Sequence, residues 1–496
     1  MAATLNISRP RLPRLLPFLL VVISFVVCIL SLVYFLHGKY YYCLSDAFYY
    51  YGLAQNFHST GIMTSPITAL GEGPVTPQIG IVLLMNILLS IGLSKESLFL
   101  AVVVVNFVFH CSLIYPLYKT ARLVGYRGPW QMVALIAAVL VGRTYFFANL
   151  QVLNDGIFNV TTIWLVYCIA ALIHKNATRG NGPQLPSKSE FLFIGFATFF
   201  SLVGIFFRVQ ELLIVGSFFI TALLYGMYKK SYGLLLVASL LCACSLLVFR
   251  GIYALFGVSG FTSQLASIYP AMFARFSEKT LYFIGTYLVF GVALTAIATR
   301  WLKEKNFALL FVTLVCLSGI AFVFEFDFNC APAFQRYLQH FWPLTIMLVL
   351  LTPVTEFVGY AMVGLLLLQS LYENRRVPDY FHIDRFYLYV DKLKITCAGK
   401  NALLYSPEQY SRMSYYFLGQ KCNFGLEAGR DSLCEGTELY FAGPREYLEK
   451  ELAFVRKQTA AQNLGFKEQS LTPEYIDEVG DAVVRIYNVN KQSDTF

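Results

Sequence analysis

The chain has 496 residues, of which 57% are hydrophobic, 16% aromatic and only 14% charged. A soluble protein carries roughly a quarter charged residues, so a water-soluble globular fold is excluded. The net charge of +9 does not point to nucleic acid, because most of the excess sits in short loops between apolar runs, where positive charge orients a membrane chain.

Apolar runs of about 17 to 22 residues recur, the length that crosses about 30 Å of hydrocarbon. The predicted fold class is a polytopic α-helical membrane protein. It has about eleven transmembrane helices, outer juxtamembrane helices and a small C-terminal α/β extracytoplasmic domain. The first span, Leu15 to Leu36, follows Arg9, Arg11 and Arg14. It is too long for a signal peptide and lacks a clear small-residue cleavage site. It reads as an uncleaved span with its N-terminus in the cytoplasm.

Ser45-Asp46-Ala47-Phe48-Tyr49-Tyr50-Tyr51-Gly52-Leu53-Ala54-Gln55-Asn56 follows. Asp46 opens a helix-like aromatic run at the mouth of a span. One reading is a helix cap, since Ser and Asp are favoured there, with the tyrosines forming an interfacial belt. The other is a catalytic carboxylate at a membrane surface. The return, Gly61 to Pro77, is rich in Gly and Pro and carries Glu72.

Further spans are expected near 98–118, 131–149, 156–174, 190–207, 210–228, 232–250, 281–299, 306–324, 337–352 and 357–371. The apolar stretch 77–93 decides the side of everything after it. If it does not cross, four positive clusters fall on the inside: Lys119 with Arg122 and Arg127, His174 to Lys188, Lys229-Lys230, and Arg300 with Lys303 and Lys305. If it crosses, all four fall outside, against the positive-inside bias. It therefore reads as a helix packed at the outer surface or re-entrant.

This topology gathers ionisable residues at span ends on the outer side, the usual mark of a substrate site. They are Asp46, Glu72, Asp155, Arg208, Glu211, Arg275, Glu325, Asp327 and Arg336. Asn154-Asp155-Gly156 reads first as a turn, since Asp-Gly is a strong turn signal. Arg208-Val209-Gln210-Glu211 is either a local Arg–Glu pair or an arginine reaching an anion with its planar guanidinium. Asp327 to His340 is either an interfacial span boundary or a phosphate clamp, with Arg336, Tyr337 and His340 on one helical face. No His or Cys spacing suits zinc, and no Walker loop or dinucleotide fingerprint occurs. Cys43, Cys330, Cys397, Cys422 and Cys434 fall outside, where disulfides are permitted. Cys422–Cys434 is the first candidate pair and Cys43–Cys330 the second.

From Glu373 onward the long apolar runs stop. The expected domains are 1–372, a transmembrane catalytic unit, and 373–496, a soluble α/β unit. Apolar stretches at Asn401 to Tyr405, Glu438 to Phe441 and Ala482 to Val489 alternate with helix-compatible Ser406 to Leu418 and Arg445 to Gln458.

These residues resemble the GT-C type integral-membrane glycosyltransferases that use polyprenyl-phosphate sugars. The likeness rests on Asp46-Ala47-Phe48-Tyr49-Tyr50 with Ala54-Gln55-Asn56, on Gly71 to Gln78, on Arg208 to Glu211, and on Arg336-Tyr337-Leu338 with Pro343. The nearest flavours are bacterial arabinofuranosyl- and glucosyltransferases. Many relatives carry Asp-Asp where this chain has Ser45-Asp46, which weakens the case for a divalent metal.

The resemblance implies an undecaprenyl-phosphate-like donor, a glycan or protein acceptor, no nucleic acid partner and no cofactor. It implies a bacterial inner membrane with the site and C-terminal domain facing the periplasm. Asp46 would be the catalytic base. Arg336, Arg208, Tyr337 and His340 would hold the donor phosphate. Glu72, Asp155, Asp327, Glu211 and Tyr50 would orient substrate. The rival class is a flippase or transporter, in which paired halves and interrupted helices meet near the bilayer midplane; no internal repeat is visible here. Cysteines introduced as Asp46→Cys and Arg336→Cys are expected to react with an impermeant thiol reagent from the same face. Labelling from opposite faces would end the enzyme reading.

Overall fold

The computed structural model describes residues 15–38, 45–64, 79–126, 128–178, 187–256, 301, 304–327, 339–351, 360–361, 363–365, 367–368, 402–405, 438–444, 464–468 and 482–491. Among them the membrane part is helical throughout. In chain order the helices are α1 (Leu15–His37), α2 (Ser45–Thr60), α3 (Gly80–Ser90), α4 (Lys95–Ser112), α5 (Ile114–Leu123), α6 (Pro129–Val141) and α7 (Arg143–Leu150). They continue as α8 (Asn154–Thr178), α9 (Lys188–Phe207), α10 (Glu211–Lys229), α11 (Gly233–Phe256) and α12 (Phe307–Asp327). A 3₁₀ turn, Gln339–Phe341, leads into α13 (Trp342–Val349).

Six of these segments are long and apolar enough to cross a membrane: Leu16–His37, Lys95–Leu123, Asn154–Thr178, Lys188–Phe207, Glu211–Lys229 and Gly233–Phe256. Their outward faces are lined by exposed apolar side chains, such as Phe18, Val26 and Leu30 on α1 and Phe191, Leu192 and Phe199 on α9. Water would not tolerate apolar area on this scale, whereas lipid covers it at no cost. The eleven expected spans are not all of this kind. The stretch 281–299 and most of 357–371 lie outside the described residues. Of the stretch expected to span at 337–352, the described residues hold the 3₁₀ turn and the eight residues of α13.

The chain's breaks have local causes. Pro116 has no N–H to give the carbonyl of Ser112, and the helix is interrupted between them at Leu113, so α4 and α5 form one kinked span. The expected single span at 131–149 is two helices. Gly142 takes an extended conformation with ψ near 100° and separates α6 from α7. A Cβ at Gly142 would stand 2.2 Å from the carbonyl oxygen of Ala138, so no other residue fits that joint unstrained. Helix α3, expected not to cross, has 11 residues and is about 16 Å long, half of what the hydrocarbon requires. It packs on α2, and its N-terminus meets the bundle where Ile81 N–H bonds Asn154 Oδ1 at 3.0 Å.

Two apolar cores fill the bundle. One gathers α1, α2, α3, α4, α6 and α7 around Phe35, Phe48, Phe99 and Leu140. The other gathers α5, α8, α10, α12 and α13 around Leu165, Phe218 and Phe311. A small third cluster, Ile157, Phe158 and Phe207, joins the start of α8 to the end of α9. The helices alternate in direction, so one end of the bundle collects Lys119 and Arg122 of α5, Lys175 of α8, Lys188 of α9 and Lys229 of α10. At that end Lys175 donates to Ser189, Tyr225 donates to the Asn176 carbonyl at 2.9 Å, and Asn306 donates to the Leu123 carbonyl at 3.0 Å. The described positive clusters thus share one end, as the charge argument requires.

Beyond the bundle, four strands form a mixed sheet in the order β1-β2-β4-β3. They are β1 (Ala402–Tyr405), β2 (Glu438–Pro444), β3 (Leu464–Glu468) and β4 (Ala482–Lys491). Strand β1 runs parallel to β2, and β4 is antiparallel to both β2 and β3. Three strands fall on the apolar stretches read from sequence; β3 does not. The expected helical stretches 406–418 and 445–458 lie outside the described residues, as does the boundary at 372.

The joint at Gly142 generates a stability prediction. Gly142→Ala is expected to cost about 1–3 kcal/mol through overpacking. Gly216→Ala, at a helical position with open space around it, is expected to be neutral or slightly stabilising. Thermal unfolding in detergent measures both, and equal midpoints would refute the steric account.

Candidate functional site

The end of the bundle opposite the lysines carries a buried charged cluster. Its first member comes from the start of α8. Asn154-Asp155-Gly156 is not the turn that Asp-Gly suggested; it is the first turn of a 25-residue helix. The reason is tertiary. Asn154 Oδ1 is taken by the N–H of Ile81, and Gly156 lies so close to the Asn149 carbonyl that a Cβ there would stand 2.3 Å away. Asp155 therefore sits in a first helical turn, where the helix dipole favours an anion.

The second member is Arg208. It terminates α9 in an extended conformation, with its N–H on the Gly204 carbonyl at 2.8 Å. Three residues later the chain enters α10. Of the two sequence readings of Arg208, the geometry brings forward a third: Arg208 forms an ion pair with Asp155 across the helix pair. Both side chains are buried. Burial in a low-dielectric interior makes such a pair strong only because each charge has its opposite at contact.

His340 is the third member. Its Nε2 lies 3.4 Å from Asp155 Oδ1, and its Nδ1 lies 2.7 Å from Asn159 Oδ1, one turn further along α8. The edge of its ring meets Phe158 with centroids 5.0 Å apart. His340 is 1% exposed, so it points into the bundle rather than across its surface. Glu211 stands nearby in sequence but has a different partner: Thr162 Oγ1 donates to its Oε2 at 3.2 Å. Its carboxyl group fills the space beside Gly204, where a Cβ would stand 2.5 Å from Glu211 Cδ.

A polar chain leads inward from His340. Asn159 Nδ2 donates to Asn149 Oδ1, and Asn149 Nδ2 lies 2.9 Å from His110 Nδ1. Beside it, Asn106 donates to the Gln151 carbonyl at 2.9 Å. Sequence reading missed Asn106, His110, Asn149, Asn159 and Thr162. The available signal was the i, i+4 spacing of Asn106 and His110 within an apolar run, which puts two costly polar groups on one face of a span.

The structure thus brings together Asp155, Arg208 and His340 from the predicted set. Tyr50 is half-buried on α2, with its ring 5.8 Å from that of Tyr49. Asp46 is the second residue of α2 and Asp327 the last of α12; the side chains of both lie outside the described residues. Glu72, Arg336, Tyr337, Cys43, Cys330, Cys422 and Cys434 also lie outside them.

No family model matches the chain, and no curated protein matches it either. Solved structures do. ArnT from Cupriavidus metallidurans in the apo state superposes with a TM-score of 0.54 at 12% identity, covering 95% of this chain and 97% of that one. The same protein bound to undecaprenyl phosphate gives 0.54 at 11% identity, with the same coverage. The archaeal oligosaccharyltransferase AglB from Archaeoglobus fulgidus, in complex with an inhibitory peptide and a dolichol-phosphate, gives 0.51 at 10% identity over 98% of this chain and 75% of that one. Identities this low show the fold alone. The chain has the membrane fold of these structures.

The ion pair is directly testable. Asp155→Asn and Arg208→Gln are each expected to destabilise by about 3–5 kcal/mol, because each strands a buried charge. The double variant is expected to lose less than the sum, with coupling of about 0.5–3 kcal/mol. Unfolding in detergent provides the cycle; strictly additive losses would mean that the pair carries no energy.

Proposed function

We propose that the protein is an inverting glycosyltransferase that moves a hexosyl or pentosyl group from a polyprenyl-phosphate donor to an acceptor hydroxyl. The acceptor is a surface glycan, a lipopolysaccharide or O-antigen, a cell-wall polymer or a protein such as pilin. The observation that carries this reading is the convergence of Arg208 and His340 on Asp155 at the non-lysine end of the bundle, within a fold shared with proteins solved bound to undecaprenyl phosphate and dolichol-phosphate.

In this reading Asp46, on the first turn of α2, takes the proton of the acceptor hydroxyl. The acceptor oxygen bonds the anomeric carbon as the carbon–oxygen bond to phosphate breaks. The phosphate leaves with the electron pair and the anomeric configuration inverts. A positioned base supplies about 10²- to 10⁴-fold. Arg336, Tyr337, Arg208 and His340 offset the charge growing on the departing phosphate, and stabilisation of this kind often lowers the barrier more than the base does. An arginine has five N–H donors, so Arg208 can hold Asp155 and meet a phosphate oxygen in the same geometry. Glu72, Asp155, Asp327, Glu211 and Tyr50 orient the sugar and acceptor. The reaction as drawn uses no cofactor and no divalent metal. The lysine end faces the cytoplasm by the positive-inside bias. The site and residues 373–496 then face the periplasm of a bacterial inner membrane, where the C-terminal unit helps hold the acceptor.

Transfer from a synthetic polyprenyl-phosphate sugar, assayed with the full chain in nanodiscs, tests the base. Asp46→Asn is expected to lower kcat by about 10²- to 10⁴-fold while the donor KM changes little. Near-normal turnover by Asp46→Asn would remove Asp46 from the chemistry. Donor translocation without transfer would favour the flippase.

A further inference from the structure

Helix α9 begins at the lysine end of the bundle, at the opposite terminus from Arg208. From Lys188 to Phe199 one face of it is open. Lys188, Phe191, Leu192, Gly195, Phe196 and Phe199 line a groove of about 770 Å³, and all of them are exposed. That volume lies within the range of about 300–1,000 Å³ in which proteins hold small ligands. Spacings of three and four residues make the lining one continuous stripe. The middle of the stripe is a notch: a Cβ on Gly195 would meet nothing within 4 Å, while bulky side chains rise on either side.

The wall of the groove is firm. Phe196 and Phe199 both meet the ring of Phe200, with centroids 6.4 and 5.4 Å apart, and Phe200 stacks on Trp164 of α8 at 5.5 Å. Rings backed by a second helix need not be ordered by an occupant, which lowers the cost of binding. The nearby cation is engaged within the protein: Lys175 donates to Ser189, and its ammonium lies 5.2 Å from the centre of the Phe193 ring. The nearby acid, Glu190, is buried, and its carboxylate accepts the N–H of Ser187 at 2.6 Å. Lys188 stands exposed at the mouth of the groove, with three donors on its ammonium.

A cation above apolar rings is the complement of an anionic phospholipid. From Lys188 to Phe199 the helix rises about 16 Å, half of the ~30 Å hydrocarbon core, so the apolar stretch matches the depth of one leaflet. The positive-inside bias puts the lysine end in the cytoplasm, and the cytoplasmic leaflet is the one whose surface is anionic. A second copy of the chain fits this face worse. A two-fold pair brings the same residue of each copy together, which would set Lys188 against Lys188. Helix interfaces in lipid also favour small side chains, whereas Phe191, Leu192, Phe196 and Phe199 are large. We propose that this face of α9 binds an anionic phospholipid of the cytoplasmic leaflet, with the lipid phosphate on Lys188 and an acyl chain in the notch at Gly195. The site is independent of the chemistry at the other end of the bundle.

Native mass spectrometry tests the site. The full chain is released from detergent after equilibration with phosphatidylglycerol or with phosphatidylcholine of the same acyl chains. Wild-type protein is expected to retain phosphatidylglycerol in preference to phosphatidylcholine. Lys188→Gln is expected to weaken phosphatidylglycerol retention about fivefold and to leave phosphatidylcholine unchanged. Gly195→Trp fills the notch at a position with room for the new side chain and is expected to reduce retention of both lipids. Both positions are exposed, so neither variant is expected to move the thermal unfolding midpoint in detergent. Equal retention of the two lipids by wild-type protein overturns the proposal, as does phosphatidylglycerol retention that either variant leaves unchanged. A wild-type dimer that Gly195→Trp converts to a monomer, with no preference for phosphatidylglycerol, would assign the face to a second copy and overturn it as well.

Discussion

A charge inside an apolar bundle must have its opposite at contact, and the Asp155–Arg208 pair meets that demand in a way that organises the molecule. Asp155 belongs to the first turn of α8 and Arg208 to the residue that ends α9. Pairing them fixes the register of two long antiparallel helices at one end. At the other end, Lys175 with Ser189 fixes the same helices again, and Tyr225 with Asn176 ties α10 to α8. The helix pair is thus pinned at both ends by polar contacts while lipid and apolar neighbours cover its length. His340, far along the chain, is drawn to the same carboxylate, so α13 is placed by this one anion too.

The cluster depends on close approach as much as on charge. Gly156 lets the Asn149 carbonyl and the Asn106 amide come against α8, and Gly204 leaves room for the buried Glu211 carboxyl. The joint at Gly142 does a related job at larger scale. It ends α6 so that α7 can turn and present Asn149 between His110 and Asn159. A continuous helix over 131–149 would keep Asn149 on the axis of α6. The polar chain therefore exists because a span is broken, and the break exists because one residue has no side chain.

These relations explain what was legible in the sequence. Apolar length named most of the helices, and the distribution of lysine and arginine grouped their ends, because both signals are local sums over many residues. Asp155, Arg208 and His340 stood out because ionisable groups are rare in such a chain. Their mutual contact was not legible, since it depends on which helix ends meet; Arg208 was weighed against Glu211, three residues away, and finds Asp155 instead. Asn154-Asp155-Gly156 misled because its turn propensity is local, whereas the N–H of Ile81 that claims Asn154 comes from α3. Asn149 and Asn159 went unnoticed because a single amide in an apolar run gives no periodic signal. Strand β3 was missed for a similar reason: Leu464–Glu468 is short and contains a glycine.

The end of the polar chain bears on how the site is served. A path for moving a polar headgroup through the bundle needs polar groups on both sides of the charged cluster. Here the described chain runs inward from His340 through Asn159 and Asn149 and stops at His110. The His110 ring is fully buried and packs against Tyr145 and Phe146, with centroids 5.7 and 5.3 Å apart. The interior beyond is the apolar core of Leu135, Val139 and Leu165. Among the described residues these polar groups thus form a branch that ends at His110.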